Sequence, residues 1–75
     1  VMKVRYYTKV GCPLCDEGLA ILCTFSGLDI EHIDIEEDEQ VFGKYAWKIP
    51  VIARPDNASE LDWPFDCKDV EAFLE

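Results

Sequence analysis

The first 35 residues alternate in a way that leaves little choice of fold. "VMKVRYYTKV" is rich in β-branched and aromatic residues, with Met2, Val4 and Tyr6 on one side and Tyr7 on the other, and reads as a strand. Gly11 and Cys12 break the run. Pro13 suits the first turn of a helix, where a missing N–H costs nothing. "PLCDEGLAILCTFSG" continues as that helix, with Leu19, Leu22, Cys23 and Phe25 at roughly helical spacing and Gly27 as its C-terminal cap. "LDIEHIDIEED" returns as a strand, edge-like or half-buried, with Ile33 and Ile35 on one face. A strand, a helix and a strand in that order imply a right-handed parallel crossover.

The rest of the chain adds two helices and a hairpin. "EDEQVFGKYAW" is a short helix with acids in its first turn, where the helix dipole favours them, and Gly43 weakens it. "KIPVIAR" is β-branched and strand-like. Pro50 cannot donate to a ladder, so it belongs at the strand's start. "PDNAS" is a turn cluster and "SELDW" a short strand, so the two strands form an antiparallel hairpin. In "PFDCKDVEAFLE", Asp66 can cap a helix whose face carries Val70, Phe73 and Leu74 at i, i+3 and i+4. The order is β-α-β-α-β-β-α, an α/β arrangement with a four-stranded mixed sheet and helices on both faces.

Size and charge bound what this sheet can do. The 75 residues allow one domain over 1–75, and 49% hydrophobic content is enough for a core. A chain this short buries only about 60% of its unfolded surface, so its stability is marginal. Sixteen acids against seven bases give a net charge of -9, which argues against nucleic acid or an anionic membrane as partner. No apolar run approaches the ~20 residues of a membrane span. The first strand begins almost at residue 1, so no secretory segment is expected before it, and the expected setting is the cytoplasm with reduced thiols.

The four cysteines are Cys12, Cys15, Cys23 and Cys67. One tight pair plus two scattered residues does not look like the disulfide framework of a small secreted domain. The pair stands on the strand-to-helix turn, where unpartnered backbone N–H groups carry partial positive charge. A thiolate there is stabilised, and thiols so placed reach pKa values between about 3.5 and 7.5. Cys12 is therefore the expected nucleophile. Cys15, one turn on, is within disulfide reach and placed to resolve a mixed disulfide formed at Cys12. Pro13 stiffens the turn. Lys9 is placed to add positive charge or to bind an acidic substrate, while Asp16 and Glu17 act against the thiolate.

Metal binding competes for the same residues. A closed zinc site wants four ligands, and the further candidates are Cys23, Cys67 and His32. Cys23 lies two turns down the helix and His32 is mid-strand, so neither makes a second tight pair. A cluster bridged between two chains is a rarer arrangement, and no metal ligand is assigned. Cys23 is expected to be a buried core thiol. Cys67 stands near a helix start, where thiolates are favoured, and its role is left open. His32 reads as a surface strand residue. Trp47 and Trp63 read as packing residues, with Trp63 the better candidate for a groove wall.

The pieces "KVGCPLC", "KIPVI" and "ELDWPF", in this order and spacing, resemble the glutaredoxins of the thioredoxin fold, in particular the short bacterial glutaredoxin-like proteins with a "GCxLCDE" start. The resemblance covers nearly the whole chain. It implies a thioredoxin-like fold and a thiol-disulfide oxidoreductase in which Cys12 attacks and Cys15 resolves; the alternative on the same fold is a non-catalytic interaction domain, in which the Cys12 thiol is unreactive near neutral pH. Lys9 matches the basic residue that approaches the glycine carboxylate of glutathione. Pro50 matches the cis-proline facing the thiol pair, and the backbone of Ile49 would pair with the substrate cysteine. Pro13 and Leu14 would line the substrate side, with Leu14 standing where many glutaredoxins have tyrosine. Phe65 and Asp66 would supply the anion-binding helix start. The family's Gly-Gly pair is missing here, and Trp63 and Pro64 replace small residues with large ones. No bound cofactor is implied, with glutathione as a co-substrate. The implied partners are a disulfide-containing protein or a glutathione mixed disulfide, and a reductase or glutathione as electron donor. A monomer is expected.

Overall fold

Alternation along β1 decides the layers. In the computed structural model, which describes residues 2–75, β1 (Met2–Thr8) sends Val4 and Tyr6 to one face of the sheet and Tyr7 to the other. The helix α1 (Pro13–Leu22) brings the chain back to β2 (Leu28–Asp34), which pairs with β1 in parallel. After a 3-10 turn (Ile35–Glu37) and α2 (Glu39–Tyr45), β3 (Val51–Arg54) runs antiparallel to β1 and is followed by β4 (Ser59–Asp62) and α3 (Cys67–Phe73). The sheet order is β2-β1-β3-β4, so β2 is an edge strand, and the mixed sheet expected from the β-α-β-α-β-β-α order is present.

Two apolar clusters sandwich the sheet. Val4, Tyr6, Leu22, Ile52, Phe65 and Val70 form the first, which joins α1 and α3 to one face. Tyr7, Ile35, Tyr45, Val51 and Ala53 form the second, under α2. Tyr45 stacks on Tyr7 with ring centroids 4.1 Å apart, and its hydroxyl is bonded to the Glu60 carboxylate. Burial, then the Glu60 contact, pushes the Tyr45 pKa far above its usual value. All four residues of β3 are buried, because a central strand between two helical layers has no solvent face.

Several expectations are corrected. The first helix stops at Leu22 rather than running on to Gly27. The Thr24 hydroxyl bonds the Ile21 carbonyl at 2.7 Å, and the Thr24 and Phe25 N–H groups reach back three residues, tightening the end of the helix. Gly27, at φ +77, instead opens β2 and accepts the Met2 N–H at 2.8 Å. Cys23 is exposed, not a core thiol. The buried stripe of α1 is centred on Cys15, Gly18 and Leu22, Leu19 lies half-buried at its margin, and Cys23 falls outside it. Trp47 is 88% exposed and packs against nothing in the core. Arg54 is buried instead, its guanidinium bonded to the Asp56 carboxylate and to the Phe73 carbonyl at 2.9 Å, which ties the β3–β4 hairpin to the end of α3.

The acids near the chain reversals act as caps. Asp34 accepts the Glu36 N–H and Asp38 accepts those of Gln40 and Val41, so the run from Asp34 to Glu39 starts two separate turns. Asp66 and Asp69 close a reciprocal capping box at α3. The Asp69 N–H holds the Asp66 carboxyl below the usual carboxylate range, and the Arg54 guanidinium does the same for Asp56. A carboxyl whose pKa is depressed in the folded state adds stability above its unfolded value of about 3.9. That stability is lost as pH falls through the folded value. Asp66→Asn keeps a capping side chain but removes the titration, so its Tm should fall less steeply than the wild-type Tm below about pH 4. Parallel Tm curves in a thermal melt series would contradict this linkage.

Candidate active site

The turn between β1 and α1 brings the two cysteines together for local reasons. Gly11, at φ +80, makes the reversal that a side chain would resist. Cys12 then takes an extended conformation as the N-cap, and Pro13 occupies the first helical turn. The Cys12 Sγ accepts the Cys15 N–H at 3.1 Å, doing with sulfur what a serine cap does with oxygen. The two cysteines are disulfide-bonded, with Cα atoms 5.2 Å apart. They are not equivalent. Cys12 is half-buried and reachable, whereas Cys15 is 5% exposed beneath the helix. An incoming group meets Cys12 first.

The surroundings come from two other segments and from the rest of the same turn. The Ile49–Pro50 peptide is cis, and Pro50 is buried against α1, so close that a Cβ at Gly18 would stand 3.3 Å from its Cγ. The Pro50 carbonyl accepts the Trp63 N–H at 3.1 Å, which ties this loop to the exit of β4. The Ile49 N–H is bonded to the Tyr45 carbonyl at 3.2 Å, so a substrate backbone would compete with α2 for it. Leu14 is 43% exposed, and Pro13, Lys9 and Val10 are exposed beside Cys12 along the chain, giving the rim both apolar surface and a cation.

The last segment differs from its expected part. Phe65 is 5% exposed and belongs to the core under α1 and α3, with Trp63 edge-on to it at 5.0 Å. Its side chain is therefore a packing group. The Asp66 N–H is taken by the Asp69 carboxylate and the Asp69 N–H by the Asp66 carboxylate. Two carboxylates thus occupy the start of α3. The Trp63–Pro64 peptide is also cis. Among the described residues, no three His, Cys, Asp or Glu side chains converge as a metal-ligand group, and Cys23 and Cys67 are both free and exposed.

Two residues that matter at this site were missed from the sequence. Tyr6, on β1, donates its hydroxyl to the Cys15 carbonyl at 2.7 Å. Burial, reinforced by Asp16 and Cys23, pushes the Tyr6 pKa far above the ordinary tyrosine value, so the hydroxyl keeps its proton. Gly18 leaves the space that this hydroxyl enters, since a Cβ there would run into it. The available signal was a glycine inside a helix, which costs about 1 kcal/mol relative to alanine and so asks for a packing reason.

A disulfide-bonded cysteine pair on the β1–α1 turn and a cis-proline packed against the same helix can be compared with known proteins. The model of the family described as "Glutaredoxin-like domain (DUF836)" matches residues 3–75. The chain belongs to this glutaredoxin-like family. The crystal structure of the X. campestris protein XcR50, a structural genomics target, matches the glutaredoxin-like chain with a TM-score of 0.87. The two are 30% identical, and the match covers 95% of this chain and 93% of that one. Protein Ne2328 from Nitrosomonas europaea, solved in solution, matches with a TM-score of 0.77 at 28% identity, over 99% and 92% of the two chains. No curated protein is a significant match. The glutaredoxin-like protein thus has a thioredoxin-like fold, and its Cys12–Cys15 pair at disulfide distance fits redox function. No helix among its described residues is long and apolar enough to cross a membrane.

Proposed function

We propose that this glutaredoxin-like protein is a thiol-disulfide oxidoreductase that reduces protein disulfides or glutathione mixed disulfides. The observation that carries the reading is the setting of the Cys12 sulfur. It is reachable at the N-cap of α1, accepts the Cys15 N–H, and lies at bonding distance from the buried Cys15 sulfur. A helix N-terminus and a donated N–H favour the thiolate over the thiol, and the thiolate is the attacking species. Cys12 attacks one sulfur of the substrate disulfide, and the other leaves as a thiolate that takes up a proton. Cys15 loses its proton and attacks Cys12, expelling the second substrate thiolate. Two electrons pass from the dithiol to the substrate, and the Cys12–Cys15 disulfide remains. An external thiol reductant returns it to the dithiol. The sulfurs carry the electrons, so the cycle needs no resident cofactor. Lys9, Pro13, Leu14 and Ile49 receive the substrate, while the buried Pro50 packs against α1 behind them. We place the activity in a reducing compartment such as the cytoplasm, with the protein working as a monomer.

The start of α3 bears on the electron donor. A γ-glutamyl carboxylate seated there would face the carboxylates of Asp66 and Asp69, whose capping box already uses the local N–H groups. Turnover on a protein disulfide should therefore be faster when a thioredoxin reductase-type donor feeds the protein than when glutathione and glutathione reductase do. Running the same assay with each donor decides it. Faster turnover with glutathione would overturn this donor preference, and turnover with neither would overturn the oxidoreductase reading.

A further inference from the structure

One buried polar side chain points into the redox helix and has no part in the mechanism above. Tyr6 is 1% exposed, comes from the central strand β1, and donates its hydroxyl to the carbonyl of Cys15 at 2.7 Å. The contact depends on a matched vacancy. Gly18 has no side chain where the Tyr6 hydroxyl lies, and a Cβ there would also stand 3.1 Å from the Phe65 Cζ and 3.3 Å from the Pro50 Cγ. Strand, helix, cis-proline loop and α3 approach therefore meet within one turn of Cys15. The first turn of α1 carries the buried Cys15. Leu22, its fully buried apolar anchor, lies two turns further on. The Tyr6 hydroxyl is the side-chain hydrogen bond that ties that first turn to the sheet.

We propose that Tyr6 is a positioning residue for Cys15, holding the resolving sulfur in line with a mixed disulfide at Cys12. The proposal rests on the oxidoreductase reading. Resolution requires the Cys15 Sγ to approach the Cys12 Sγ along the axis of the bond it breaks, and a small misplacement of such a group is costly. Cys12, at the more exposed end of the turn, moves with the substrate. Cys15 stays, because its carbonyl is bonded to a rigid strand. The same anchor acts in the dithiol and disulfide states, since it is made to the backbone and not to the sulfur.

The test is single-turnover mixing of the reduced protein with glutathione disulfide, with acid quenching and mass spectrometry to follow the mixed disulfide at Cys12. In Tyr6→Phe the rate of formation of the mixed disulfide should stay at the wild-type value. Its lifetime should lengthen by up to about tenfold, the factor that a net buried hydrogen bond is worth at most. Val70→Ala, in the same core cluster but on α3, loosens the core without touching Cys15, and should leave the lifetime unchanged. A wild-type lifetime in Tyr6→Phe, or an equal lengthening in Val70→Ala, overturns the proposal while leaving the oxidoreductase reading intact. Failure of the reduced wild type to be oxidised by either glutathione disulfide or a protein disulfide overturns that reading, and the proposal with it. A readout independent of the variant folding is the Tyr6 hydroxyl proton in the wild-type protein. It should be observable by NMR as a slowly exchanging resonance in both redox states. Its disappearance on reduction would overturn the anchor.

Discussion

Cys12→Ser should reduce disulfide reductase activity to background, and Cys15→Ser should leave the protein covalently held to its substrate. The asymmetry follows from exposure. Cys12 is the sulfur an incoming disulfide can reach, and Cys15 is 5% exposed beneath it. A serine at position 12 offers an alcohol in place of the thiolate that attacks, and no disulfide can form through it. A serine at position 15 leaves the N-cap geometry and the attack intact, because the Cys12 Sγ is held by the backbone N–H of residue 15 and not by its side chain. The first step proceeds and the second cannot. The intact mass of the Cys15→Ser protein should rise by one substrate thiol after mixing, and a stronger thiol reductant should reverse the change. Equal, full activity in both variants would sink the assignment of the dithiol as the working group.

Gly18→Ala should destabilise the protein even though alanine is the better helix former. The helix propensity gain is about 1 kcal/mol. Against it stands overpacking of the α1 face, which costs roughly 1–3 kcal/mol. The new Cβ would collide with the Tyr6 hydroxyl and press on the Phe65 ring and the Pro50 ring. If Tyr6 yields, the Cys15 carbonyl also loses its donor, at about 0.5–1.5 kcal/mol. The expected balance is a net loss of roughly 0.5–3.5 kcal/mol, read as a lower urea midpoint with an unchanged slope. Gly18→Val should be worse, since it adds two further methyl groups and a β-branched side chain in a helix. A stabilised Gly18→Ala protein would show that α1 stands further from the sheet than described. Gly43 is the internal control. A Cβ there meets nothing within 4 Å, so Gly43→Ala in the same assay should show the propensity gain alone.

The two glycines show why part of this protein can be read from its sequence and part cannot. Both sit in helices, Gly18 in α1 and Gly43 in α2, and both look like local weaknesses. Gly43 has only a local meaning, which its own segment shows, whereas the neighbours that explain Gly18, namely Tyr6, Pro50 and Phe65, lie 12, 32 and 47 positions away. Pro50 was placed correctly because a strand rejects a proline except at its start or edge, a rule that needs no knowledge of the partner. Asp66 was placed correctly as a cap, yet only the structure shows it locked to Asp69 and so taken up at the place where the family resemblance put an anion. Trp47 was misjudged because hydrophobicity says that a side chain gains from burial, not that a neighbour exists to bury it.

The order β-α-β-α-β-β-α, the dithiol on the β1–α1 turn, the proline before β3 and the capped last helix were determined by the sequence itself. Each is written in periodicity, capping or backbone restriction within a few consecutive residues, and those preferences act before any tertiary contact forms. The burial of Cys15, the exposure of Cys23 and Trp47, the inward turn of Arg54 and the bond from Tyr6 to the Cys15 carbonyl were decided only by the tertiary structure. Each depends on which surfaces meet when distant segments pack, and packing energies act between atoms in contact, which neighbouring positions in the chain do not reveal.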